Sequence, residues 1–91
     1  MNEKILKNLE QIAKAAKTGP GEKDALEAIR SARETIKTSG AGIEALQELD
    51  RELSVWQSKL SVIWSEPLGR QGIAKHATYW EEKLRSLRSA Q

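Results

Sequence analysis

The sequence contains no cysteine. Disulfides, thiolate zinc sites, iron–sulfur clusters and cysteine nucleophiles are therefore excluded, and a small domain without such staples has to depend on packing. Phenylalanine is also missing, and the aromatics reduce to Trp56, Trp64, Tyr79 and Trp80, so a core must be assembled mainly from leucine, isoleucine and alanine. Val55 and Val62 are the only valines, and no stretch alternates apolar with polar residues, which removes the strand signal. Long apolar runs are absent too. The stretch MNEKILKNLEQIAKAAK carries Lys or Glu every few residues, so neither a signal peptide nor a membrane span is expected, and the cytoplasm is the expected compartment. Neither sign of charge dominates: fifteen Lys and Arg against thirteen Asp and Glu leave +2. That is too little for the field of a dedicated nucleic-acid binder, despite a sequence pI near 9.0.

What remains is a helical composition. The 91 residues predict one domain spanning 1–91, and Thr18-Gly19-Pro20-Gly21, Ser39-Gly40-Ala41-Gly42 and Glu66-Pro67-Leu68-Gly69 divide it into four segments. Helices are expected near 3–17, 22–38, 43–65 and 70–89. The first carries the stripe Ile5, Leu9, Ile12, Ala16 and the second Ala25, Ile29, Ala32, Ile36, whose small residues allow a neighbour to come close. The third repeats apolar residues at heptad spacing, Leu46, Leu49, Leu53, Trp56, Leu60 and Ile63, and the fourth answers with Ile73, Ala77, Trp80, Leu84 and Leu87. The expected fold is all-α, a four-helix up-down bundle built around a long antiparallel hairpin of the third and fourth helices. Glu44, Glu48, Asp50 and Glu52 would then lie beside Lys83, Arg85 and Arg88. The third helix would project beyond the first by about eight residues, ~12 Å, which invites a partner or self-association.

Catalytic chemistry has little to work with. The single histidine, His76, has Gly72, Ile73, Tyr79 and Trp80 at its helical neighbour positions, so a local His–carboxylate pair is excluded and any partner must come from the third helix. The Glu-x-x-His signature of di-iron bundles is missing. Gly69 and Gly72 flank Arg70 and Gln71, but no strand precedes them and no phosphate-loop spacing is present, so Pro67 and Gly69 read as a turn and Gly72 as a close helix approach. No catalytic residue, cofactor or metal is expected, and the chain does not read as an enzyme.

Two binding readings remain. Arg70-Gln71-Gly72-Ile73-Ala74-Lys75-His76 resembles the start of a recognition helix in winged helix-turn-helix repressors of the ArsR type, a likeness covering about fifteen of the 91 residues. It implies a DNA-binding regulator using the fourth helix. The sequence departs from that family in the long preceding helix, the lack of a following β-wing and the lack of metal-binding cysteine. The first reading is instead a protein-interaction module, a small adaptor, inhibitor or assembly factor. Trp64, Leu68, Arg70, Gln71, Lys75, His76 and Tyr79 gather near the turn between the third and fourth helices, and Trp, Tyr and Arg together are the composition of an interface hot spot. Another protein is the expected partner, a homodimer is a second form of it, and nucleic acid ranks below both.

Overall fold

Stripes of leucine, isoleucine and alanine at helical spacing have one way to leave water, which is to face one another. The computed structural model, which describes residues 2–18, 21–39 and 42–89, shows four helices and, among those residues, no strand: α1 (Asn2–Thr18), α2 (Glu22–Ser39), α3 (Glu44–Ser65) and α4 (Pro67–Ser89). Each helix packs on two others: α1 on α2 and α4, and α3 on α2 and α4. The contacts that α1 makes with α2 and α4 are more extensive than those that α3 makes with the same two helices. The whole measures 38 × 21 × 16 Å.

The core sits where the stripes converge. Ile5, Leu9 and Ile12 of α1, Ile29 and Ile36 of α2, Leu46, Leu49 and Leu53 of α3 and Leu84 of α4 are essentially without exposure. Alanines fill in around these stripes: Ala15 and Ala28 line the groove between α1 and α2, and Ala13, Ala16, Ala25 and Ala32 are buried as well. The polar side chain of Asn8 is buried with them, and its Nδ2 donates to Ser31 Oγ at 3.3 Å, so it crosses the helix pair with a partner.

Helix α4 begins at Pro67, three residues before the expected start at 70. Proline suits the first position of a helix, where its missing N–H costs nothing, and it forces the preceding residue to be extended. Glu66 obeys, with φ −119° and ψ 131°. It closes α3 through its N–H to the Ile63 carbonyl (3.4 Å) and opens α4 through its own carbonyl, which accepts from the Arg70 N–H (3.1 Å). Arg70 reinforces the corner, donating from Nη1 to the Trp64 carbonyl at 3.0 Å, a cation on the negative end of α3. The close approach expected at Gly72 is instead at Gly69, where a Cβ would overlap the Ile63 carbonyl oxygen; around Gly72 the space is open. Gly69→Ala should therefore destabilise the corner by about 1–3 kcal/mol, whereas Gly72→Ala, mid-helix, should stabilise by about 0.5–1 kcal/mol. Urea unfolding of the two variants against the parent checks this, and equal shifts of the same sign would contradict the geometry.

The lengths are also more even than expected. Helix α3 has 22 residues and α1 has 17, so the mismatch is ~7.5 Å at ~1.5 Å per residue, smaller than the sequence implied because α1 takes in Asn2 and Thr18 and α3 starts only at Glu44. Gly19, Pro20, Gly40 and Ala41, read as turn residues, lie outside the described residues, as do the side chains of Leu87 and Arg88.

Candidate interaction surface

On the outer side of α3 and α4 an open cavity of about 480 Å³ is lined by Glu48, Glu52, Lys75, His76, Tyr79, Trp80 and Lys83. Helical spacing produces it: 48 and 52 are one turn apart on α3, and 76, 79, 80 and 83 fall on one side of α4. The Glu52 carboxylate is its hub. Oε2 accepts from the Trp80 indole Nε1 at 2.7 Å, and Oε1 lies 2.9 Å from His76 Nδ1. Trp80 is buried, so its polar edge needs this acceptor, and the carboxylate in turn holds the imidazole in place. His76 also meets Trp56 edge-on, with ring centroids 6.4 Å apart. Lys83 Nζ stands 4.8 Å from the Trp80 ring centroid and 3.6 Å from Glu48 Oε2, and Tyr79 meets Trp80 edge-on at 5.6 Å. The acidic start of α3 thus does meet basic residues of α4, at Glu48 and Lys83; such a half-exposed pair contributes about 0–1 kcal/mol.

A second cavity, about 430 Å³, lies between α1 and α4 and is lined by Ala16, Lys17, Pro67, Arg70, Gln71, Ala74 and Lys75. A third, about 640 Å³, lies between α2 and α3, with Glu34 and Asp50 among its walls, and there Arg33 binds Asp50 Oδ1 (3.1 Å) and Gln57 Oε1 (2.8 Å). The fourth, about 590 Å³ between α1 and α2, includes Asp24 and Glu27.

The residues expected to form one patch are split. His76 and Tyr79 belong to the α3–α4 cavity, Arg70 and Gln71 to the α1–α4 cavity, and Lys75 borders both. Leu68 is 78% exposed at the start of α4. Trp64 is corrected: it is 5% exposed and belongs to the core, while Ile63, expected on the stripe, is only partly buried beside it. The cause is helical pitch. A heptad stripe drifts ~20° per seven residues around a straight helix, so after Leu60 the core-facing position falls at 64. Two participants were missed. Glu52 was expected beside the basic residues of α4 but not as the partner of His76 and Trp80, which lie on another helix, and Lys17 stood only within the charged stretch MNEKILKNLEQIAKAAK. Among the described residues no group of three His, Cys, Asp or Glu comes together to hold a metal.

Glu81 stands apart, on the side of α4 that meets α1. Its Oε1 is buried and, among the described residues, without a hydrogen-bond partner. Burial pushes its carboxyl above the usual carboxylate range, with Glu10 and Glu82 adding to the rise and Arg85 and Lys17 opposing it. Between the ordinary value and the raised one the folded chain holds more protons than the unfolded chain, so stability falls as pH rises through that window. Glu81→Gln should flatten this slope and raise the melting temperature at neutral pH. Thermal melts from about pH 4 to pH 8 check it, and a variant with the parental slope would refute the assignment.

Compared with known proteins, the chain matches no family model, no curated protein and no solved structure.

Proposed function

We propose that this chain is a non-enzymatic protein-interaction module, a small adaptor, inhibitor or assembly factor, that binds another protein through the outer faces of α3 and α4. One observation carries the reading. Four of the five large hydrophobic residues exposed among the described ones belong to these two helices: Val55 (52%), Val62 (64%), Leu68 (78%) and Tyr79 (53%). Val55 and Val62 are seven residues apart, so they share one face of α3, turned away from the core stripe. Of these, Tyr79 shares the α3–α4 cavity with Lys75 and His76, and apolar surface beside polar and charged groups has the mixed character of an interface.

The architecture we propose for this module is the four-helix up-down bundle with an antiparallel α3/α4 pair. Supporting it, the contacts between α3 and α4 run in opposite directions along the chain, Glu48 with Lys83, Glu52 with Trp80 and Trp56 with His76, and the four helices pack as a closed ring. Among the described residues no helix is long and apolar enough to cross a membrane, and the cytoplasm is the compartment proposed.

The test is affinity capture from the source cells after nuclease treatment, comparing the parent with a Leu68→Ser/Tyr79→Ser variant. Both residues are exposed, so the variant should melt with the parent yet lose at least ~2 kcal/mol of partner affinity. Sedimentation decides whether that partner is a second copy. A duplex of selected sequence bound in the nanomolar range, with capture unaffected by the variant, would replace this reading with the DNA-binding regulator.

A further inference from the structure

Three of the four grooves between adjacent helices carry carboxylates: Glu34 and Asp50, Asp24 and Glu27, Glu48 and Glu52. The walls of the α1–α4 cavity have none, although Glu81, on the side of α4 that meets α1, lies within electrostatic reach of Lys17. The polar walls are Lys17 from one helix and Arg70, Gln71 and Lys75 from the other, so three cations and one neutral amide face about 430 Å³ of open space. Like charges around one cavity repel, and a negative ligand there removes the repulsion.

We propose that this groove binds a phosphate monoester dianion, held by Lys17, Arg70 and Lys75. The proposal does not rest on the protein-binding surface proposed above, although Lys75 borders both cavities. Arg70 is the anchor. Its Nη1 bond to the Trp64 carbonyl fixes the guanidinium at the α3–α4 corner, using one of its five donors. A planar, pre-positioned guanidinium matches two oxygens of a tetrahedral oxyanion at once. Lys17 and Lys75 add point charges from the two rims, which favours a dianion over a single carboxylate. The remaining walls, Ala16, Pro67 and Ala74, are short or rigid and do not fill the groove. The volume exceeds that of a phosphoryl group, so the organic part of an ester fits as well. The groove also lies over the first turns of α4, the positive end of that helix.

The test is a two-dimensional amide NMR titration of the full chain with methyl phosphate and with N-acetyl-phosphoserine amide, at constant ionic strength set with chloride. Saturable shifts are expected at amides near 16–17 and 68–75. A Lys17→Gln/Lys75→Gln variant with unchanged circular dichroism should weaken binding about tenfold, in keeping with the strength of charge-assisted contacts, and each single substitution should weaken it less. Tighter binding of the phosphoserine compound would identify a phosphorylated side chain as the source of the group, and equal or weaker binding a small phosphorylated metabolite. Shifts that stay linear, or that persist unaltered in the double variant, would overturn the proposal.

Discussion

Leu53→Asp is expected to unfold the domain. Leu53 has no exposure and lies near the middle of α3, in the core built by all four helices. An ionised carboxylate there loses its hydration without a cation to compensate it, at a cost of several kcal/mol, and the leucine's own burial is lost as well. The total stability of a chain this size is roughly 5–14 kcal/mol, at ~0.05–0.15 kcal/mol per residue, so the two losses together are of the same order. Far-ultraviolet circular dichroism should show the helical signal gone at room temperature. A variant that keeps the signal and melts within a few degrees of the parent would mean that the α3 stripe does not face a core.

Trp64→Ala should cost about 3–5 kcal/mol, the range for deleting a large aromatic side chain from a packed interior. For a domain of this size that is a fall of well over 10 °C in melting temperature, at ~4–8 °C per kcal/mol. The direction of the effect separates two roles. As a core residue, 5% exposed, Trp64 should alter partner binding only through the fraction of unfolded chain. As a surface anchor it would lower affinity and leave the melting temperature alone. Thermal melts and binding measured on the same sample decide between them.

The helices were legible because their chemistry is periodic and local. Ile5, Leu9, Ile12 and Ala16, and Ala25, Ile29, Ala32 and Ile36, are all buried as their spacing requires. The heptad of α3 held through Leu60 and failed at Ile63, because a fixed period of 3.5 loses phase on a helix that turns every 3.6 residues. At the corner, glycine content pointed to a close approach but could not choose between Gly69 and Gly72; the choice was made by Pro67, which starts α4 early and brings Gly69 against the Ile63 carbonyl. The candidate site was less legible for a different reason. Glu52 with His76, and Lys17 with Arg70, are juxtaposed by packing between helices, and no spacing along one helix encodes a neighbour on another.

One of the two most extensive helix contacts joins α1 to α4, the first helix to the last, and this bears on how the chain folds. Helices α3 and α4 are separated by Glu66 alone, so the entropy of bringing them together is small and their pairing can be early. The α1–α4 contact closes across most of the sequence and must come late. Until it forms, the α4-facing side of α1 remains in water. Stability is thereby invested in the contact with the longest loop to close, which makes folding an all-or-none event and leaves no pair of helices with a complete core of its own.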